Sequence, residues 1–210
     1  MIDSLKARDN LFLATKYSSL DSPAQQVASI QHSQTVLRMQ RFDLLYAWGV
    51  SNASFDFGFL REQKARGVAR YIGIASGRDP DTTALAALIA RERPDFLHFP
   101  YSLDQRSGEP RLFPAARDAG VAVVATLPLG GSSLFAKVAG KPLPDWAGAL
   151  GIASWAQFFL RFVLANPAVV CIVPGTDKIA NLNDDLAAGH APAPGAADRQ
   201  RLLDYWLAMS

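Results

Sequence analysis

The apolar run Val169-Val170-Cys171-Ile172-Val173 leads straight into Pro174-Gly175-Thr176 and then into a short polar helix opening near Lys178. A strand that breaks at glycine and threonine and restarts as a helix gathers free backbone N–H groups and a helix N-terminus at one spot, which attracts phosphate. Glycine and threonine also serve ordinary capping, so the stretch reads either as a phosphate cradle or as a plain strand-to-helix turn. Cys171, the single cysteine, lies inside the apolar run and reads as a small buried hydrophobe in a reducing compartment, not as a nucleophile. His32 and His190, expected on a helix and a loop, make no metal-ligand pattern with a neighbour, so no metal is expected.

Residues of this kind need elements to hold them, and the chain supplies a regular series. Short β-rich runs at residues 11–15, 43–47, 70–74, 96–99, 121–125 and 169–173 alternate with longer amphipathic stretches, the pattern of parallel strands joined by helical crossovers. Several runs are apolar without alternation, as expected when helices cover one face and neighbouring strands fill the other. Helices are expected from Ser22-Pro23 through Val27, Ile30 and Leu37, from Phe59 to Arg66 with Gly67 as the stop, and after Asp79-Pro80-Asp81 with Leu85, Leu88 and Ile89 packed. Three more cover residues 112–119, 153–164 and 198–208. Glycine and proline collect in residues 189–195, a surface connection, and in residues 128–144, a loop long enough to be functional.

The 210 residues are half apolar, which suits one well-buried domain over residues 1–210. A net charge of +2 from 21 basic and 19 acidic residues supplies no basic stripe, so nucleic acid is not an expected partner. The first residues carry no basic-then-apolar signal pattern, and no apolar run approaches the roughly 20 residues of a membrane span. The expectation is a soluble cytoplasmic protein without a membrane partner.

The order and wording of these units resemble the aldo-keto reductase superfamily. The matching phrases are residues 8–16, 42–46, 67–74, 99–103, 128–131 and 174–176, in family order across nearly the whole chain. The resemblance implies an α/β fold of the (β/α)8 TIM-barrel type, here expected to be N-terminally truncated to about six βα units. It also implies NAD(P)H-dependent reduction of a small carbonyl substrate, an aldehyde or ketone, to an alcohol. On the family pattern the chain begins just before the third barrel strand, so the family's catalytic aspartate and tyrosine would be absent. The family lysine matches Lys16, and the family histidine falls on Trp48, whose indole cannot replace imidazole as acid or base. Read without the family, Lys16 is a solvated or ion-paired side chain at a strand end; with it, a cation that stabilises charge or a desolvated acid.

For the cofactor, the resemblance implies Ser76 and His98 at the carboxamide, although His98 could equally be a satisfied core group. Leu129, Gly130, Gly131 and Ser132 match the loop over the pyrophosphate, and Gly175 and Thr176 the phosphate-binding turn. Asn181 stands where many relatives have arginine, Asp184 and Asp185 replace a Glu-Asn pair, and Lys178 could substitute for the arginine or be a surface residue. The nicotinamide-stacking position falls on Thr126, which has no aromatic face. NADP(H) is expected over NAD(H). Two other readings stay open: a catalytically inactive dinucleotide-binding or interaction protein of the same fold, and a fragment of a complete reductase. Six strands cannot close an eight-stranded barrel, so exposed edges are expected, and with them self-association into a homo-oligomer that covers them, a swapped element, or poor solubility.

Overall fold

The structure, a computed structural model, describes residues 8–51 and 53–209. Six strands, β1 (Ala14–Ser18), β2 (Phe42–Trp48), β3 (Ala69–Ala75), β4 (Phe96–Pro100), β5 (Ala122–Thr126) and β6 (Val169–Val173), form one sheet in sequence order. Every neighbouring pair is parallel. Crossovers are made by α1 (Pro23–Leu37), α2 (Gly58–Ala65), α3 (Thr82–Glu92), α4 (Leu112–Ala119), and, between β5 and β6, α5 (Ser133–Lys137) and α6 (Trp155–Leu164). The helices α7 (Ile179–His190) and α8 (Ala196–Ala208) follow β6. This is the parallel α/β order expected, with six βα units in an open arc.

Local chemistry sets the helix ends. At α1, Ser22 stays extended before Pro23, and its backbone N–H and hydroxyl both donate to Gln25 Oε1, at 3.0 and 2.8 Å. At α3, the Asp81 carboxylate accepts from the N–H groups of Thr83 and Ala84, at 2.9 and 3.0 Å, and so caps the helix. α4 stops at Gly120 in the left-handed region, φ 72°.

Alternation along the strands divides the side chains between two faces. Leu45, Ala47, Ile72, Ile74, Leu97, Phe99, Val123 and Ala125 belong to the main core with Ile30, Leu60, Leu88 and Phe162 of the helices. The opposite face gathers Leu44, Tyr46 and Ala75 with Tyr71 and Phe96. At Gly73 a Cβ would lie 2.7 Å from the Phe96 carbonyl and 2.8 Å from the Tyr46 ring, so this glycine makes the space that the tyrosine fills.

Several expectations need correction. The first strand lies at Ala14–Ser18 rather than 11–15, because the ladder to β2 pairs Ala14 with Leu44 and continues to Ser18 with Trp48. Leu11 and Phe12 precede it and are 40 % and 53 % exposed. Cys171 is exposed, not buried. Among the described residues its strand β6 pairs with β5 alone and lies at the sheet edge, where Val170 is 61 % and Val173 48 % exposed. Residues 128–144 are not a plain loop, since they contain a 3-10 turn at Gly130–Ser132 and α5. Gly189 and His190 lie in the last turn of α7 rather than in a connection.

Candidate functional site

Because all six strands are parallel, the segments that follow them emerge along one edge of the sheet, the usual place for sites in such folds. Trp48 ends β2 and is 42 % exposed. Ser76 follows β3, Thr126 ends β5, and Gly175 and Thr176 follow β6. Two cavities collect the expected residues.

The first, about 630 Å³, lies on the inner face of the sheet and is lined by Lys16, Tyr46 and His98 together with Phe12, Phe96, Val124 and Cys171. Lys16 and Tyr46 are register partners on β1 and β2, so they face the same side. The rings of Tyr46 and His98 stand 5.2 Å apart. Burial, and then the charge of Lys16, push the His98 imidazole down to about 4, so it is neutral at neutral pH. Burial, and then Cys171, push the Tyr46 phenol well above its ordinary value, so it keeps its proton. The cavity can therefore offer one ligand a lysine amine, a protonated phenol and a neutral imidazole.

The second cavity, about 520 Å³, is lined by Leu129, Ser132, Gly175, Thr176, Asn181, Asp184 and Asp185, with Phe135, Ser154, Trp155 and Ala156. Three segments distant in sequence meet here: the turn after β5, the turn after β6, and α7. In the first of them Gly130, Gly131 and Ser132 all take positive φ, 61°, 61° and 76°. A Cβ on Gly130 would meet Ser133 Oγ at 2.7 Å, so glycine is required there by space as well as by φ. Beyond β6, Thr176 Oγ1 accepts from the Lys178 N–H at 3.2 Å, which leaves its own hydroxyl proton to donate elsewhere. Lys178 is the N-cap of α7 and does not line the cavity.

α7 is held at its middle and at its end. At the middle, Asp184 Oδ2 accepts from Ser154 Oγ at 2.5 Å and Oδ1 from Gln157 Nε2 at 2.6 Å, while Ser154 Oγ caps α6 by accepting from the Gln157 N–H at 3.1 Å. Near its end, the buried Arg161 of α6 donates to the carbonyls of Ala191 at 2.8 Å and Leu150 at 3.0 Å. Asp185 is buried, and that burial, followed by the charge of Asp184, raises its carboxyl above the ordinary aspartate value. Ser76 is buried beside β4, its N–H donating to the His98 carbonyl at 3.1 Å, and its Oγ has no hydrogen-bond partner among the described residues. An orphaned buried hydroxyl is the kind of atom a ligand amide satisfies.

Sequence reasoning gave no site role to Tyr46, Ser154 or Gln157, and read Trp155, which lines the second cavity, as filling a seam between helices and barrel. Period-two alternation on β2 places Tyr46 with Leu44 and Trp48, but its pairing with Lys16 needs the register. The Ser154–Gln157 cap carries a recognisable spacing, whereas its tie to Asp184 spans about 30 residues. Among the described residues no group of histidine, cysteine, aspartate or glutamate side chains could hold a metal, and no helix is long and apolar enough to cross a membrane.

Comparison with known proteins places this geometry. Among curated proteins, pyridoxine 4-dehydrogenase of Escherichia coli (strain K12) is 30 % identical over 129 residues, 61 % of this chain. The match spans 42 % of that relative's length, well under half. An aldo-keto reductase from Bacillus halodurans in its apo form superposes with a TM-score of 0.75 at 23 % identity, over 97 % of this chain and 74 % of its own. An aldo/keto reductase from Klebsiella pneumoniae in complex with NADP and acetate does so with 0.73 at 22 % identity, over 98 % of this chain and 72 % of its own. Those two likenesses speak to the fold. The model of the aldo/keto reductase family matches residues 2–195, the stretch that carries every strand and both carboxyl-edge turns, and this chain belongs to that family.

Proposed function

We propose that the chain binds a nicotinamide dinucleotide along the carboxyl edge of its sheet and serves the interconversion of a small carbonyl compound and its alcohol. The observation that carries this reading is the convergence of the post-β5 turn, the post-β6 turn and α7 on one cavity of about 520 Å³. Ser132, Gly175 and Thr176 would hold the pyrophosphate, where nothing stands within 4 Å of a Cβ built on Gly175 and backbone can come close to a ligand. Ser76 Oγ would take the carboxamide, which suits its lack of a partner. When bound, the nicotinamide supplies or accepts the hydride. Lys16 polarises the carbonyl oxygen, and the protonated Tyr46 phenol of the same cavity is a second source of a proton for it. Solved relatives from Klebsiella pneumoniae in complex with NADP and with NADPH support the cofactor class. The expectation of NADP(H) over NAD(H) draws on those relatives and not on the chain's own residues at the adenosine end.

The test titrates NADH and NADPH into the protein while following tryptophan fluorescence, then assays aldehyde reduction by the loss of dinucleotide absorbance. Binding with turnover is expected, and Lys16→Met is expected to lower kcat by about 100-fold or more while leaving dinucleotide affinity unchanged. A protein that binds neither dinucleotide would sink the proposal. Trp48 and Thr126, where the family resemblance implies a histidine and an aromatic ring, favour a second reading, a dinucleotide-binding protein without turnover. Binding with no reduction over a broad aldehyde panel would select it.

A further inference from the structure

We infer that two copies of this chain associate about a two-fold axis at the β6 end of the arc, pairing their β6 edges antiparallel and burying one apolar side of α7. The two edges of the sheet differ in kind. β1 reads Ala14-Thr15-Lys16-Tyr17-Ser18 and carries a charge and hydroxyls, which discourage an exposed edge from pairing. β6 reads Val169-Val170-Cys171-Ile172-Val173 and has no charge, hydroxyl or proline to blunt it. Among the described residues the outer row of its backbone N–H and C=O groups faces no strand. The helix that follows adds to the same end. Ile179, Leu182 and Leu186 are 77, 46 and 54 % exposed, and their spacing aligns them in one stripe. The α7 residues that line the second cavity, Asn181, Asp184 and Asp185, lie on the other side of the helix.

A partner for this end must supply an unpaired strand edge with an apolar helix stripe beside it, and a second copy supplies both. Identical edges related by a two-fold axis pair antiparallel, so the contact is self-complementary and closes at two. The five exposed apolar side chains with the strand backbone present on the order of 600 Å² per copy, which brings a pair to the lower end of the roughly 1,200–2,000 Å² of stable interfaces. Pairing of β6 with the β1 of a second copy would set Lys16 beside the seam and leave an edge free at each end. Cys171 and Val173 line the first cavity from the edge of the sheet, so the partner strand walls that cavity on its open side. With the axis at the middle of the five-residue strand, Cys171 faces its own copy. Residues directly opposite in an antiparallel pair have Cα atoms about 4.5–5.5 Å apart, within the about 4.4–6.8 Å that a disulfide spans.

The experiment is sedimentation velocity of the full chain from about 1 to 100 μM in reducing buffer, then oxidation with copper phenanthroline. A species of twice the chain's mass is expected, half-formed at about 10 μM or below. Because Cys171 is the single cysteine, an oxidised dimer is joined there by necessity. Val170→Lys and Leu182→Glu, both at exposed positions, are each expected to weaken association by about 100-fold or more while the melting temperature of the monomer holds. Val36→Glu, at a 63 % exposed position of α1, is expected to leave association unchanged. A monomer at the highest concentration, oligomers beyond two, a dimer that oxidation does not link, or a dimer indifferent to Val170→Lys would each overturn the inference. So would a Val36→Glu variant that dissociates as readily as Val170→Lys. Dinucleotide binding stands or falls separately, since the pairing makes no use of it.

Discussion

His98 is a buried base beside a lysine, and its protonation is therefore tied to folding. Its imidazole titrates at about 4 in the folded chain against the ordinary 6.5, with burial the larger cause and Lys16 the second. Between those values the unfolded chain binds the proton and the folded one does not, so stability rises with pH across the window and is lost as pH falls from 6.5 toward 4. Melting temperatures recorded through that range should fall less steeply for His98→Gln than for the wild type. An unchanged slope would assign the acid sensitivity to other groups. At this scale the sequence identified side chains whose position in the chain is enough to place them. Lys16, Ser76, Thr126 and Gly175 sit in or just after strands and needed only the strand to be recognised. Tyr46 escaped notice because its neighbour Lys16 is 30 residues away and meets it only through the ladder. Cys171 was misread for the opposite reason: its apolar neighbours predict burial, but burial at β6 also needs a strand on its far side.

Between elements, the contact that most directly shapes the second cavity is the one from α6 to α7. Asp184 receives Ser154 Oγ and Gln157 Nε2, and Gln157 Oε1 in turn accepts from the Ala153 N–H at 2.8 Å, so one side-chain cluster fixes a helix cap, a loop and the next helix. Asp184→Ala leaves the amide of the buried Gln157 without its acceptor and is expected to cost about 1–3 kcal/mol in urea unfolding. A loss below about 0.5 kcal/mol would mean that water replaces the carboxylate at no cost. Helix ends were legible wherever capping residues announce them: Ser22-Pro23, Asp81, Gly67 and Gly120 all stand at or beside the boundaries that the structure has. α5 was not, since it spans five residues and follows two glycines and a serine in the left-handed region, a composition that reads as loop. The offset of β1 has the same character, because apolar content at Leu11 and Phe12 outweighed the ladder, which only the partner strand reveals.

For the whole molecule, the alternation of strand and helix was enough to predict a parallel sheet and its approximate extent, while the open edges at β1 and β6 followed from the number of strands. The strand order has a further result for how the chain assembles. Every ladder joins consecutive strands, so each pairing closes a single crossover and none asks the remote ends to find one another. The arc can therefore fray from its edge strands inward, while α8 returns to the segment after β4, where Arg199 donates to the Tyr101 hydroxyl and Trp206 to Asp104. Native-state hydrogen exchange of the dilute, monomeric chain is expected to reveal a gradient, with amides of β3 and β4 protected nearly to the global unfolding free energy and those of β1 and β6 released by local opening. Uniform protection across all six strands would instead mark an all-or-none cooperative unit.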